Sequence, residues 1–153
     1  MTKAVLALGS NLGDRGATVL EAVRQLALVD GIEVVAASTL VETVALTPQG
    51  PDPSAPGYLN GVVIIETSLS PEELLDAANA IEADLGRVRG ERWADRTIDI
   101  DLVDVEGVTR SSEHLTLPHP RAAERSFVLA QWLEIDPAAE LAGVPARKLL
   151  EAL

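Results

Sequence analysis

Cysteine is absent from this sequence, which excludes a disulfide framework and a thiolate metal site. Basic residues are few, with 12 Lys and Arg against 24 Asp and Glu and a formal net charge of −12. Such acidity disfavours a broad nucleic-acid-binding face. No apolar run is long enough to span a membrane, and the apolar stretch at residues 3–8 is too short for a signal peptide. We expect a cytoplasmic protein that binds neither nucleic acid nor membrane.

Aromatic residues are also scarce, because Tyr58, Trp93, Phe127 and Trp132 are the whole set. The core must therefore be built from Leu, Val, Ile and Ala. Most of these aromatics stand in polar, turn-rich stretches instead of the periodic apolar segments. Stacking on a flat ligand is one reason to place an aromatic ring there.

What the chain does contain is an alternation of strand and helix patterns in the order β-α-β-β-α-β. This order predicts an α+β fold, a ferredoxin-like sandwich in which helices pack on an antiparallel sheet, followed by a C-terminal hairpin and short helices. No linker or repeat divides residues 1–153, so we expect a single domain. The predicted strands cover residues 3–8, 33–43, 58–67 and 97–105, and the predicted helices follow the first and third of them.

Turn and capping signals predict where these elements end. Ser70 followed by Pro71 and Glu73 is typical of a helix start, and Gly86 is expected to end that helix. The remaining predictions are a tight loop at 9–14, a Pro-rich loop at 46–57 that joins no ladder, a hairpin turned at 106–107, a short strand at 114–117, and helices at 122–133 and 146–153.

Two carboxylates form the strongest local signal. Asp99 and Asp101 lie two residues apart on a predicted strand, so their side chains share a face, while Ile98, Ile100 and Leu102 point into the core. Paired carboxylates bind hard cations such as Mg²⁺, which takes the rest of its shell from water and substrate phosphates. A solvated polar strand face fits the same spacing, and both interpretations stay open at this point.

Arginines cluster just before that strand, at Arg87, Arg89, Arg92 and Arg96, in a loop that also carries Gly90. Guanidiniums grip phosphate oxygens bidentately, and arginines beside a metal pair supply the charge neutralisation that phosphoryl transfer needs. A solvated loop paired with some of the many acids is the alternative interpretation.

Two weaker signals lie elsewhere. Tyr58 and Asn60 share a face of the third strand, where a ring and an amide can stack on a planar heterocycle and pair with its edge. His119 stands between two prolines with Arg121 and Arg125 nearby, which is compatible with a phosphate contact. Ordinary strand packing and a structural histidine are the respective alternatives.

Taken together, these segments resemble the 6-hydroxymethyl-7,8-dihydropterin pyrophosphokinase family over nearly the whole chain and in order. The most specific marker is the R-x-x-D-I-D-L-V string that begins at Arg96. The motifs are ALGSNLG (7–13), PGYLN (56–60), GR to RW (86–93), RTIDID (96–101) and PHPR to RSFVL (118–129).

The resemblance implies an Mg-dependent diphosphotransferase of folate synthesis that moves pyrophosphate from ATP to the pterin and releases AMP. It implies two Mg²⁺ ions held by Asp99 and Asp101, with Arg87 and Arg96 completing the catalytic set. ATP is implied as co-substrate, and the family-like oligomeric state is a monomer. The implied ATP-binding residues are Asn79, Glu82, Arg89, Arg92, Trp93, Ile98, Thr116, His119 and Arg125. The implied pterin-binding residues are Thr43, Val44, Leu46, Tyr58, Asn60 and Phe127.

Three other functions are alternatives to this one. A different Mg-nucleotide transferase on the same fold would give ADP instead of pterin-dependent AMP. A non-catalytic regulatory module that binds a nucleotide or pterin would not need both Asp99 and Asp101. An RNA-binding ferredoxin-like domain is disfavoured by the acidity of the chain and by the lack of aromatic positions on its central strands.

Overall fold

The computed structural model describes residues 1–10, 14–43, 45–47, 50–52, 57–89 and 98–153, and for 45–47, 50–52 and 87–89 it describes the backbone alone. None of the helices in this described part of the chain is both long and apolar enough to cross a bilayer.

The strands and helices follow one another in a mixed order, and the short strands lie both between β2 and β6 and after β7. The strands are β1 (Thr2–Ser10), β2 (Ile32–Ala37), β3 (Val41–Thr43), β4 (Ala45–Thr47), β5 (Gly50–Asp52), β6 (Tyr58–Thr67), β7 (Asp99–Val105), β8 (Arg110–Ser111), β9 (Thr116–Leu117), β10 (Glu140–Leu141) and β11 (Val144–Pro145). The helices are α1 (Arg15–Leu28), α2 (Pro71–Arg89), α3 (Ser126–Ile135) and α4 (Ala146–Glu151), with a 3₁₀ turn at Ala122–Glu124.

The main sheet is antiparallel and has the strand order β2-β6-β1-β7, with β3 also paired to β6. The helices α1 and α2 connect these strands across one face. This arrangement confirms the predicted α+β fold with helices packed on an antiparallel sheet.

Alternation along the strands builds one core on each face of the sheet. The first core lies under α1 and α2, where Leu6, Leu26, Ile65 and Leu74 have no exposed surface. The second core lies under α3 and α4, where Leu129 of α3 is fully buried. It also contains Val5, Val62, Ile64, Val103, Val128 and Trp132.

The two long helices begin at local capping signals. Asp14 accepts a hydrogen bond from the backbone N–H of Ala17 at 3.1 Å and so starts α1. Ser70 and Glu73 exchange hydrogen bonds, with the Ser70 N–H donating to Glu73 at 2.9 Å and the Glu73 N–H donating to Ser70 Oγ at 3.1 Å. This reciprocal capping box confirms the predicted start of α2.

Several predicted boundaries are wrong, beginning with the first two strands. Gly9 and Ser10 continue β1 instead of opening the loop, because both are paired with β6. The predicted strand at 33–43 is split into β2 and β3, which both pair with β6, and the β2–β6 ladder itself has a register shift between Val34 and Ala36.

Proline and glycine interrupt strands and helices less in this structure than predicted. Within the Pro-rich stretch, β4 and β5 form a two-stranded ladder in which Pro51 stands opposite Leu46. A proline is tolerated there because each strand of such a ladder has a free edge. Gly86 lies inside α2, because a helical glycine costs only about 1 kcal/mol and Leu85 beside it packs into the core.

The predicted hairpin after β7 is also wrong. The turn forms, with Gly107 at φ 73°, but the following residues pair as β8 with β9. The outer edge of β7 is occupied differently: the Ile100 N–H donates to Glu82 at 2.8 Å, and the Val103 carbonyl accepts from the His119 N–H at 2.8 Å. The edge strand is thus satisfied without a hairpin partner.

The C-terminal third is more broken than predicted. The helix expected at 122–133 is a 3₁₀ turn and α3, separated by Arg125 in an extended conformation. The β10–β11 ladder was not predicted at all.

Candidate active site

The second face of the sheet changes character along its length. Beneath α3 and α4 it is apolar, and Val62 and Val103 are almost fully buried there. Further along the same strands, Asn60, Asp99 and Asp101 occupy positions that continue the same face. A cleft lies over this polar end.

The predicted alternation of β7 is confirmed. Asp99 and Asp101 are half-buried and line the same cleft, whereas Ile98, Ile100 and Leu102 are buried in the first core. One strand therefore supplies both the floor of the site and part of the core.

Small residues on β1 leave the two carboxylates uncovered. Gly9 pairs with Asp99 and Ala7 pairs with Asp101. The face of β1 that carries them starts from Val5 in the second core, so side-chain volume falls from Val to Ala to Gly toward the cleft. This taper creates the space above the carboxylates.

Gly9 is required by the position of Asn60. A Cβ at Gly9 would lie 2.8 Å from Oδ1 of Asn60 and 3.6 Å from a ring carbon of Tyr58. The first distance is shorter than an unstrained carbon–oxygen contact, so Asn60 keeps its position only beside a glycine.

Hydrogen bonds fix the amide of Asn60 in one orientation. Its Nδ2 donates to Thr43 Oγ1 at 2.7 Å and has longer contacts, at 3.4 Å, with the carbonyls of Val41 and Tyr58. The side-chain nitrogen is therefore hydrogen-bonded within the protein, and Oδ1 is the atom beside Gly9. An Asn60 held this way offers an acceptor to an N–H donor of a ligand.

The cleft has a volume of about 680 Å³, which suits a small organic ligand. Tyr58 from β6 and Phe127 from α3 both line it, so an aromatic side chain comes from the sheet and another from the helical layer. The other lining residues are Ala7, Leu8, Gly9, Thr43, Asn60, Asp99, Asp101, Glu124, Arg125 and Ser126.

Arg125 brings positive charge to the carboxylates. Its Nη1 lies 3.4 Å from Oδ2 of Asp101, and both side chains are about one-third to two-fifths exposed. The extended backbone at Arg125, between the 3₁₀ turn and α3, places this residue at the cleft. A guanidinium there can exchange the carboxylate for a phosphate.

A second, smaller hollow of about 260 Å³ lies along the outer edge of β7. Thr116 and His119, both predicted to bind ATP, line it together with Leu75 and Pro120. Asp101 lines both this hollow and the larger cleft. The two spaces therefore meet at one of the predicted metal ligands.

The surroundings of His119 lower its pKa and so favour the neutral imidazole. Burial lowers its pKa most, and the nearby charges of Arg125 and Arg121 lower it further, against an opposing effect of Asp101. Its Nδ1 accepts a hydrogen bond from the Arg121 N–H at 3.1 Å, so Nε2 carries the proton. His119 can thus donate a hydrogen bond from Nε2 without carrying a charge.

Glu82 contacts the protein segment that carries the carboxylates. Its Oε2 accepts from the N–H of Ile100, between Asp99 and Asp101, at 2.8 Å. This bond anchors the edge strand at the site. It also shows a protein contact for a residue that the family resemblance assigned to ATP.

Two other predicted ATP-binding residues lie away from the cleft lining. Asn79 is exposed on α2, and the side chain of Ile98 is 1% exposed in the first core.

The remaining predicted residues lie outside what the structure describes. Val44, Arg92, Trp93 and Arg96 fall outside the described residues, and the side chains of Leu46, Arg87 and Arg89 are not described.

Sequence reasoning missed part of the lining. Ala7, Glu124 and Ser126 were assigned no role in the site, and Gly9 was interpreted as part of a tight turn. The falling side-chain size on alternate positions of β1 was the available signal for Ala7 and Gly9. Glu124 and Ser126 carried none.

The described residues contain no group of three or more His, Cys, Asp or Glu arranged to hold a metal ion. The described carboxylates that line the cleft are Asp99 and Asp101 on β7 and Glu124 in the 3₁₀ turn. Hard oxygen donors of this kind suit Mg²⁺, provided that water and phosphate supply the rest of its octahedral shell.

Comparison with known proteins gives a consistent family. The model of the 7,8-dihydro-6-hydroxymethylpterin-pyrophosphokinase (HPPK) family matches residues 5–137. A 2-amino-4-hydroxy-6-hydroxymethyldihydropteridine pyrophosphokinase from Methylorubrum extorquens is 44% identical over 153 residues, covering 100% of this chain and 94% of its own. A protein of the same name from Bacillus subtilis is 42% identical over 132 residues, covering 86% and 77%.

Solved structures agree on the fold. The HPPK-DHPS protein of Plasmodium falciparum, solved with pteroate, superposes with a TM-score of 0.72 at 16% identity over 99% of this chain. Another HPPK-DHPS, solved in complex with substrates, gives a TM-score of 0.74 at 13% identity over 99% of this chain. The chain spans less than half the length of these two proteins, 42% and 45%.

The family model over residues 5–137 and the relatives at 42–44% identity show that the chain belongs to the 7,8-dihydro-6-hydroxymethylpterin-pyrophosphokinase family.

Proposed function

We propose that this protein transfers the pyrophosphoryl group of ATP to the hydroxymethyl oxygen of 6-hydroxymethyl-7,8-dihydropterin and releases AMP. The observation that carries the proposal is the cleft itself. It brings Tyr58, Asn60 and Phe127 together with Asp99 and Asp101, on a chain of a pyrophosphokinase family.

The aromatic end of the cleft is proposed to hold the heterocycle. Tyr58 and Phe127 supply ring faces for a flat bicyclic ligand. Because Nδ2 of Asn60 donates to Thr43, its Oδ1 is the atom that can accept a hydrogen bond from an N–H of the pterin. Thr43 supports this orientation, while the roles of Val44 and Leu46 rest on the family resemblance alone.

ATP is proposed to enter from the hollow at the edge of β7, where Thr116 and neutral His119 lie. Because Asp101 lines both spaces, phosphates that extend from this hollow would arrive beside the bound pterin. Arg125, 3.4 Å from Asp101, would then turn to the phosphate oxygens. The roles of Arg87, Arg89, Arg92, Trp93 and Arg96 around the phosphates are proposed from the resemblance.

The reaction we propose is an in-line displacement at the β-phosphorus. The pterin oxygen forms a bond to that phosphorus, the bond to the bridging oxygen of the α-phosphate breaks, AMP leaves, and the hydroxyl proton passes to water. The side chains hold the two substrates in line and stabilise charge, as phosphoryl transfer requires. His119 contributes an uncharged N–H, and Glu82 holds the strand that carries both carboxylates.

Magnesium is proposed to bind at Asp99 and Asp101 as two ions shared with the phosphates of ATP. When bound, Mg²⁺ neutralises phosphate charge and orients the oxygens for attack. The pair of half-buried carboxylates on one face of β7 supports this proposal. A monomer is proposed from the family resemblance alone.

The test is the nucleotide product formed from Mg-ATP with and without 6-hydroxymethyl-7,8-dihydropterin. We expect AMP that requires both the pterin and Mg²⁺. ADP instead of AMP would indicate a different kinase on this fold. Tight pterin binding without turnover would favour a regulatory module.

A further inference from the structure

Arg15, the first residue of α1, links two segments that are far apart in the sequence. Its Nη1 donates to the carbonyl of Gly57 at 2.8 Å, and its Nη2 donates to Glu42 Oε2 at 2.7 Å. The Arg15 side chain is 30% exposed and that of Glu42 is 64% exposed, so the bond to Gly57 is partly shielded from water whereas the bond to Glu42 faces solvent. A single guanidinium therefore joins the helix to the end of β3 and to the start of β6.

These two segments carry the heterocycle end of the cleft. Glu42 precedes Thr43 on β3, Gly57 precedes Tyr58 on β6, and Thr43 pairs with Tyr58. The backbones are close enough that a Cβ at Gly57 would lie 2.7 Å from the Thr43 carbonyl oxygen. The fork of Arg15 thus clamps a glycine-dependent backbone contact beside the cleft.

The short strand β3 depends on such a clamp. It has three residues, two of them exposed, and in the described part of the chain it pairs with β6 alone. Strand ends with few buried contacts open locally at low free-energy cost. An anchor from α1 limits this fraying.

The amide of Asn60 would follow any movement of β3. Its Nδ2 bonds to Thr43 Oγ1 at 2.7 Å and contacts the Val41 carbonyl at 3.4 Å, and both atoms belong to β3. If β3 frays, Asn60 loses the partners that point its Oδ1 toward the cleft. A link from Arg15 through β3 to Asn60 is therefore continuous.

We propose that Arg15 is a positioning residue for pterin recognition, acting through Glu42, Gly57 and Asn60 without touching the ligand. This inference rests on the proposed function, because it assigns the aromatic end of the cleft to the pterin. Arg15 is not among the residues that line the cleft. Its removal should weaken pterin binding and leave ATP binding intact.

The test compares the wild type with Arg15→Gln and Arg15→Lys. We expect Arg15→Gln to raise the KM for the pterin about tenfold, with kcat and the KM for ATP changed less than about twofold. Arg15→Lys, whose ammonium can reach one partner but cannot bridge both, should fall between. Fluorescence titration with the pterin alone should show the same order of Kd values without turnover.

Arg24→Gln is the matched control. Arg24 lies on the same helix and pairs with Glu21 at 2.6 Å within that helix, so this variant removes a similar charge pair away from the cleft. It should leave both KM values and the pterin Kd unchanged.

Three results for Arg15→Gln would overturn the inference. The first is an unchanged pterin Kd, and the second is a KM for ATP that rises as much as the KM for the pterin. The third is a loss of pterin binding that a lower Tm fully explains. A wild type that makes pterin-dependent AMP while Arg15→Gln behaves like it would reject the role of Arg15 and leave the proposed function standing. A wild type that neither binds nor turns over the pterin would reject both.

Discussion

The two faces of the sheet are built by the same strands but end differently. The first face is apolar where it packs under α1 and α2, with Leu6 and Ile65 at 0% exposure. The second face is apolar only under α3 and α4 and then turns polar at Asn60, Asp99 and Asp101. The site lies where the second core stops.

A small fold can in this way carry polar site residues without losing core packing. Because side chains alternate along β7, its core residues and its carboxylates do not compete for the same space. Half-buried carboxylates are stabilised by nearby charge and hydrogen bonds, and Arg125 supplies this to Asp101 at 3.4 Å. Along this strand, we therefore expect substitution of a core residue to lower stability and substitution of a carboxylate to lower activity.

Removing either carboxylate from the polar end of the second face should give the largest effect on activity. We expect Asp99→Ala and Asp101→Ala each to lower AMP formation roughly a thousandfold or more, because the metal-binding charge is lost. The free energy of unfolding should change by less than about 1 kcal/mol. Enzyme assays and thermal melts of the same samples check both points, and a severe fall in Tm would show that the carboxylates are structural.

Leu102→Ala, next to Asp101 on the opposite face, should do the reverse. Leu102 is 4% exposed in the first core, so the cavity should cost about 2–5 kcal/mol of unfolding free energy. Activity per folded molecule should stay near that of the wild type. Chemical denaturation measures the loss, and a stability equal to the wild type would contradict the buried position.

Gly9→Ala tests how finely the site is fitted. Its Cβ would push on Oδ1 of Asn60, 2.8 Å away, so we expect the KM for the pterin to rise about tenfold and the KM for ATP to stay constant. Asn60 is a side chain that can shift, so the loss of stability should be small.

Gly86→Ala is the control for that substitution. No described atom lies within 4 Å of a Cβ at Gly86, and the residue is inside α2, so alanine should stabilise the protein by up to about 1 kcal/mol. Both KM values should be unchanged. Equal pterin affinities for the two alanine variants would show that Gly9 is not a fitted position.

Asp104→Asn should give the smallest effect, at the other end of β7. Burial raises the pKa of Asp104, the Val105 N–H lowers it, and the charge of Glu106 raises it again. With a raised pKa in the folded state, ionisation opposes folding at neutral pH. The asparagine variant should therefore unfold at a slightly higher temperature at pH 7.

The gain of Asp104→Asn should vanish as the pH falls below the ordinary pKa of Asp, since the carboxyl is then protonated in both the folded and unfolded states. Melting curves across this pH range measure the change. Asp30→Asn, in an exposed turn, is the control for replacing an Asp by Asn and should leave the Tm close to that of the wild type. A lower Tm for Asp104→Asn at pH 7 would contradict the account.

The sequence predicted much of this fold because its signals are local. Alternation located β6 and the two faces of β7, and Ser70 with Glu73 located the start of α2. The errors arose where neighbours override local preference. Gly86 stays helical beside buried Leu85, and β8 leaves β7 because Glu82 and His119 occupy its edge.

The site was predictable to the extent that it repeats along strands. The spacing of Asp99 and Asp101 predicted a shared face, and Tyr58 with Asn60 predicted a place for a flat ligand. The choice of pterin came from the family resemblance. The bond from Arg15 to Glu42 was out of reach, because it joins residues 27 positions apart with no periodic pattern between them.

The most direct test of the assignment is a crystal structure with Mg²⁺, an α,β-methylene analogue of ATP and 6-hydroxymethyl-7,8-dihydropterin. The account predicts the pterin between Tyr58 and Phe127, with its hydroxymethyl oxygen facing the β-phosphorus above Asp99 and Asp101. A pterin bound at the opposite end of β7, in the hollow lined by Lys3 and Asp104, would contradict it.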